Sequence, residues 1–539
     1  MLKTNSIIML LIACTSMLFA ETLAINLLNV NHAGGPGKME IDSGVFRLER
    51  CRHATERYLT LLKENPVNGT GAYLLKGRFH ATTIGARAQV GLLARTAENG
   101  WIREWASPIL EKDQEFAVRA WLPDSAAKLE ILLMSHEGIV EFSQLELIKT
   151  DYLEDNGVFA PDMEFWINMD YIDNVAYRKN LHVEDYDEPV IAEYFRKCKA
   201  HGITGVLWRV SCMGQFGYRT KVGTIYPDLN GDSLSDGEIK MREYIKRFDP
   251  VEVAVREARK NDIQIYFWMT LSDEAYNHPT RGKIHHSQFQ LDHPETILLD
   301  RQGNPLYGTM CYSEPAARKY RMDIIRELIE YKADGIYLCT RSHCFSFGTD
   351  KSGNDYGFNP TVVRQYKERY GVDILTQDFD VKKWQDLKAE GFEEFMLEAC
   401  NTIHAAGQRV IFGTCFNGIS SGKCGGGWGN MPIRVKKYLE EGWIDAVLVG
   451  QNKVEGFFAS SEKAAFDQVA RPAQKLYFWA QMVDYVGDRV FPPEYILDQA
   501  ALFHFLGANG AMYHESVNLE EHDAPEKYWK PLSEFYRKY

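Results

Sequence analysis

FDPVEVAVREARKNDIQIYFW, residues 248–268, is the stretch that decides the fold. Asp249 can cap a helix that Pro250 opens, and Val251, Val253, Ala254 and Ala258 give that helix an apolar stripe. After Asn261 and Asp262 the period changes. Ile263 to Met269 is a short, nearly continuous apolar run rich in aromatic and β-branched residues, which reads as a strand buried on both faces. One helix feeding one such strand is the repeating half of a parallel sheet.

The pattern recurs on either side. Strands are expected at Glu164–Met169, Gly205–Val210, Gly335–Cys339, Arg409–Gly413, Ala446–Val449, Lys475–Ala480 and Gly510–Tyr513. Helices are expected from Glu188 to His201, Pro315 to Lys332, Pro360 to Tyr370, Trp384 to Ala406 and Pro493 to Leu506, with Gly371 as a stop. Eight strands, each followed by a polar mouth and then a helix, predict an α/β fold over residues 156–539: a (β/α)8 TIM barrel. Such a ring collects the strand C-termini on one face, where barrel enzymes keep their chemistry. Long insertions run from Ser272 to Ser313 and from strand four to Asn359. The glycine-rich run Gly422–Gly429 lacks the Gly-Lys-Ser/Thr ending of a phosphate loop and reads as a mouth loop.

Upstream, residues 25–155 alternate apolar and polar side chains in short runs: Gly44–Glu49, Gly71–Phe79, Arg87–Ala94, Glu115–Trp121, Leu129–Ser135 and Gly138–Lys149. This predicts an all-β sandwich of jelly-roll type ahead of the barrel. Asp151 to Pro161 is a polar hinge. Residues 1–24 read as a signal peptide, with Lys3 ahead of an apolar stretch and small-residue cleavage points at Ala20 or Ala24. A lipoprotein signal ending at Cys14 is the alternative. A periplasmic or extracellular location is expected, with no membrane span after the signal.

The 539 residues carry a formal charge of -13, against a nucleic-acid partner, since polyanion binders show a basic excess. Aromatics make up 12%, enough to supply flat rings for sugar binding as well as a core. Trp101, Trp105 and Trp121 offer a sugar platform, although at least one is expected in the core. Of the ten cysteines, Cys339 with Cys344 and Cys415 with Cys424 are the close pairs. Their spacings match no zinc pattern, and buried or bridged roles are expected.

Three segments carry a family resemblance. Residues 248–268, ADGIYL at 333–338 and FNPTVVRQYKERYGVD at 358–373 resemble the helix-to-strand unit, fourth strand and following helix of the glycosyl-hydrolase-like family 10 group of bacterial barrels. The upstream block resembles, in pattern, the carbohydrate-binding modules attached to secreted glycosidases. The resemblance implies a secreted barrel acting on glycans. One departure limits it: related barrels often end strand four in a carboxylate, whereas here that end reads Cys339-Thr340-Arg341-Ser342-His343, and strand five ends Thr414-Cys415-Phe416-Asn417.

Glycoside hydrolysis needs two carboxyl groups flanking the bond. The candidates at strand ends are Asp170, Asp273, Glu274, Asp484 and Glu515, with Glu515 foremost because it directly follows an apolar strand beside His514. Arg209, Trp268, Arg341, His343, Asn417, Trp479, Gln481 and His514 are the expected substrate contacts. Arg209, Arg341 and His343, with Arg219 and Lys221 as possible additions, would make the mouth cationic. That suits a uronate-bearing or sulfated polysaccharide, unless each arginine pairs with a mouth acid. Asp334 and Asp445 precede their strands and are expected on the opposite, stabilising face. No cofactor and no metal are expected; His278, His285 and His286 lack a third ligand at fixed spacing. The leading expectation is a secreted glycoside hydrolase acting on a polysaccharide or oligosaccharide. A non-catalytic glycan-binding barrel is the alternative, and a metal-dependent hydrolase or lyase using His343 is a third.

Overall fold

The computed structural model describes residues 21–23, 30–50, 58–67, 71–107, 109–122, 125–150, 162–177, 186–227, 236–276, 285–340, 355–415, 417–422, 431–450, 456–484, 489–514 and 525–538. The chain divides into two compact units. One runs to Phe159 without residues 103–109; the other joins those residues to Ala160–Tyr539.

The first unit holds two sheets, apart from residues 103–106 at the end of one edge strand. Gly37–Asp42, Val45–Arg50, Ile139–Thr150, Gly71–Ala81 and Gln114–Leu122 lie side by side in that order, and Glu21–Leu23 also pairs with Ile139–Thr150. The second sheet orders Val30–Gly34, Tyr58–Pro66, Lys128–Glu137, Arg87–Arg95 and Trp101–Ala106. Lys128–Glu137 runs antiparallel to both of its neighbours, as does Ile139–Thr150 to its own. Alternate residues such as Phe46, Leu48, Phe79 and Phe142 in one sheet, and Leu62, Val90, Ile131 and Leu133 in the other, are buried. Trp105 is fully buried, in line with the expectation that at least one of the three tryptophans is core, and Trp101 is half exposed. Asn68, whose Asn-Gly-Thr triplet fits a glycosylation acceptor, lies outside the described residues.

In the second unit, Glu164–Met169, Gly205–Arg209, Gln264–Thr270, Gly335–Cys339, Arg409–Thr414, Ala446–Val449, Lys475–Gln481 and Gly510–His514 form a closed barrel. Every neighbouring pair is parallel, and the first and last strands close the ring by pairing Glu164–Ile167 with Gly510–Tyr513. Helices follow the expected pattern: Glu188–Ala200, Pro250–Lys260, Pro315–Ile329, Pro360–Tyr370, Val381–Ala405 and Pro493–Phe505. Asp187, Asp249 and Asp380 cap three of them, accepting from Val190, Val251 and Lys383 backbone N–H at 3.1 Å each.

Large rings fill the lower barrel. Trp166 meets Tyr266 and Tyr477 at 5.4 and 5.5 Å between centroids. Gly205 makes room for it: a Cβ there would come within 2.4 Å of the Trp166 ring. Glu164 ties this layer together by accepting from Trp166 Nε1 at 2.9 Å and Tyr477 Oη at 2.7 Å. Asp334 and Asp445 sit at the strand N-termini and accept backbone N–H from Ile265 (2.8 Å) and Val410 (2.7 Å), the structural role expected there. Among the described residues no helix is long and apolar enough to cross a membrane. Six cysteines are described, at 198, 212, 311, 339, 400 and 415, all buried; Cys344 and Cys424 lie outside the described residues.

Candidate active site

The C-terminal ends of barrel strands one, two and three bring a charged group together. Asp170 follows strand one directly, where the chain turns into a π-helical segment, Tyr171–Tyr177, of a kind frequent at functional sites. That turn fixes the carboxylate: Asp170 Oδ1 accepts from Ile172 N at 3.0 Å, and Asn174 Oδ1 accepts from Asp170 N at 2.8 Å. Arg209, at the end of strand two, forms a hydrogen-bonded ion pair with Asp170 Oδ2. Its Nη2 lies 3.6 Å from Asp273 Oδ2, and its Nε donates to Ser211 O at 3.1 Å. All three side chains are buried. Burial is the largest single influence and disfavours the Arg209 cation, but Asp170, Cys212, Asp273 and Tyr171 together outweigh it and hold the guanidinium charged, well above its ordinary range.

Asp273 is also held by the backbone. Ser211–Cys212 and Gln215–Phe216 form a tiny hairpin whose tip, Met213 and Gly214, takes positive φ at both residues, 51° and 72°. Met213 N donates to Asp273 Oδ2 at 3.2 Å. At Gly214 any side chain would collide, since a Cβ would stand 2.3 Å from Ser287 and 3.0 Å from Glu274 Oε2. A left-handed methionine costs roughly 1 kcal/mol, a strain of the sort kept where a donor must be aimed.

An aromatic wall lies beside this cluster. The Arg209 guanidinium sits 4.8 Å from the Trp268 ring centroid. Trp268 of strand three reaches Trp479 of strand seven edge-on, at 5.9 Å and 88°. His514 of strand eight packs 4.3 Å from Trp479 and 6.0 Å from Trp268. Trp479 Nε1 donates to Gln481 Oε1 at 3.0 Å. Trp268, Trp479, Gln481 and His514 are each at most 2% exposed, so the rings are interior walls rather than open platforms.

Other expected residues fall elsewhere. Glu274 forms a buried ion pair with Arg321 on helix Pro315–Ile329. Burial pushes its carboxyl up, against the pull of Arg321. The pairing ties the end of strand three to that helix. Arg219, expected as a mouth cation, donates its Nε to Ile245 O at 2.7 Å and is committed to helix Asp236–Arg247. Lys221 N donates to Glu327 Oε1 at 2.5 Å. Asn417 precedes the short helix Gly418–Ser421 and accepts from Cys415 Sγ at 3.4 Å. Asp484 lies in a two-residue strand paired with Arg489–Val490, and His285–His286 pairs with Ala275–Tyr276; side-chain placements there are outside the described residues. Glu515, Arg341, His343 and His278 are outside them entirely.

The structure adds residues the sequence did not single out. Tyr171 donates to Gln215 O at 2.9 Å and braces the hairpin that holds Asp273. Arg321 had a legible signal: it occupies the apolar stripe of its helix, four residues after Ala317 and four before Ile325, where a charge requires a buried partner. Among the described residues, no group of three or more His, Cys, Asp or Glu side chains could hold a metal ion.

No protein-family model matches the chain, and no curated protein does. Solved structures similar to it include the PgaB (BpsB) glycoside hydrolase domain from Bordetella bronchiseptica, at 11% identity and TM-score 0.46, covering 69% of this chain and 99% of that one. The catalytic domain of a β-amylase from Paenibacillus polymyxa aligns at 10% identity and TM-score 0.44, covering 70% and 99%. A xylanase 10B fragment from Clostridium thermocellum aligns at 11% and TM-score 0.29, covering 92% and 88%. At TM-scores below 0.5 these likenesses assign no residue and no reaction to this chain.

Proposed function

We propose that the protein is an exported glycoside hydrolase acting on a polysaccharide, with Asp273 as the charged carboxylate and Glu515 as its proton-donating partner. The supporting observation is the charge of the mouth. Asp170, Arg209 and Asp273 together carry a net negative charge beside walls of Trp268, Trp479 and His514. Glycoside cleavage passes through an oxocarbenium-like state, and a fixed negative charge in a water-poor site stabilises the positive charge that develops. Asp170 acts through Arg209 as a positioning residue. Glu515 is the next residue in sequence after His514, the last residue of strand eight.

Arg209 is committed to two acids, so the anionic substrate expected from a cationic mouth now rests on Arg341 and His343. A neutral glycan suits the described cluster better, because a second carboxylate there would meet Asp170 and Asp273. The N-terminal sheets are read as a glycan-binding module, and the half-exposed Trp101 is the described residue best suited to that task. Export fits cleavage after Ala20, since Glu21–Leu23 is a strand of the first sheet and cleavage after Ala24 would remove it.

A second reading is a non-catalytic glycan binder. It is favoured by the commitment of Asp170 to Arg209 and Glu274 to Arg321, and by strands four and five ending without an acid. Reducing-end release from a broad panel of neutral and anionic polysaccharides separates the two. The hydrolase reading expects turnover that falls at least about 1,000-fold in Asp273→Asn and in Glu515→Gln with binding retained. Binding without turnover across the panel by the parent protein establishes the binder instead.

A further inference from the structure

The aromatic wall holds N–H donors that its own chain does not use. Among the described residues Trp268 Nε1 and Gln481 Nε2 are buried and have no hydrogen-bond acceptor. Gln481 is oriented by its own bond: its carbonyl accepts from Trp479 Nε1, which leaves the amide N–H groups facing away from Trp479. Buried donors are rarely left without an acceptor, so two neutral donors on one wall point to a ligand that brings an acceptor.

Three features of the cluster narrow that ligand. The donors belong to, or border, the rings of Trp268 and Trp479, which present apolar surface. The adjoining carboxylates, Asp170 and Asp273, can each accept more than one hydrogen bond and oppose a second anion. An acetamido group matches all three at once: its carbonyl oxygen takes the unused donors, its methyl packs on a ring, and its N–H meets a carboxylate. A plain hydroxyl offers no methyl for the wall, and a carboxylate brings the wrong charge.

Resting on the glycan reading given above, we infer that the sugar unit recognised at this wall is a 2-acetamido sugar, with Gln481 and Trp268 as the residues that select it. The test compares binding and cleavage separately. Calorimetry with oligosaccharides of N-acetylglucosamine and of N-acetylgalactosamine, against the matching glucose and galactose oligosaccharides, is expected to show at least about tenfold tighter binding of one acetamido series. Gln481→Leu should reduce that preference by about tenfold. Trp268→Phe, which keeps a ring and removes the N–H, should reduce it independently, so that one misfolded variant does not decide the outcome. Equal binding of both series, or binding of neither, overturns the inference. Hydrolysis of a neutral homoglycan with no acetamido preference overturns it while leaving the hydrolase standing. Selective acetamido binding without cleavage of any glycan sustains it and removes the hydrolase.

Discussion

Glu274 and Arg321 show how a single residue's environment decides its role. Both are about 1% exposed or less and each neutralises the other. Breaking a buried pair on one side leaves an uncompensated charge, at a cost of about 3–5 kcal/mol. Arg321→Leu is therefore expected to lower unfolding stability by that amount in urea titration, while a Glu274→Leu, Arg321→Leu double variant recovers most of it. Glu462 makes a second prediction. It is fully buried, accepts from Ile419 N at 2.7 Å and Ser420 N at 3.0 Å, and burial pushes its carboxyl from 4.5 up to about 7. The folded state thus holds this proton more tightly than the unfolded state. Its contribution is fully present below about pH 4.5 and is lost as pH rises through about 7, a change of about 3 kcal/mol. Glu462→Gln should flatten the stability profile in that window; an unchanged slope would show that Glu462 titrates normally.

Inside the barrel, element packing depends on glycines opposite large rings. Gly205→Ala would drive a methyl to 2.4 Å from Trp166, so strand two or the ring must shift. The expected loss is about 1–3 kcal/mol, visible as a lower Tm, with the N-terminal sheets unaffected by circular dichroism. The barrel strands were legible because buried parallel strands are continuous apolar runs: Glu164–Met169, Gly335–Cys339 and Ala446–Val449 fall where the sequence places them. Other strands were not. Tyr58–Pro66 contains Lys63, Glu64 and Asn65, and nothing local marks it as sheet. Asn65 is buried only because its amide donates to Leu62 O and Leu129 O at 3.0 Å each, and Leu129 is 64 residues away. Val30–Gly34 and Trp101–Ala106 depend in the same way on partners that chain distance hides.

For the molecule as a whole, a charge of -13 and a mouth cluster of net negative charge act in the same direction. Approach of a polyanion is opposed by the long-range field, and salt screens that field. If a uronate-bearing or sulfated polymer is cleaved at all, its KM should fall as ionic strength rises from about 20 to about 200 mM, while KM for a neutral polymer stays flat. A KM that rises with salt on the anionic polymer would show that cations such as Arg341 and His343 dominate the mouth.

The amino-acid sequence by itself determined the barrel, its strand positions and the face on which its polar strand ends gather, because hydrophobic period and helix capping act over a few residues. Only the tertiary structure decided what those polar residues do. Ion pairing and burial act through space: they join Asp170 to Arg209 and Asp273, turn Glu274 to a helix 47 residues on, and place Trp268 against Trp479 across the ring. Whether a carboxylate works on a substrate or holds a helix depends on which cation stands within about 4 Å of it, and no local pattern carries that distance.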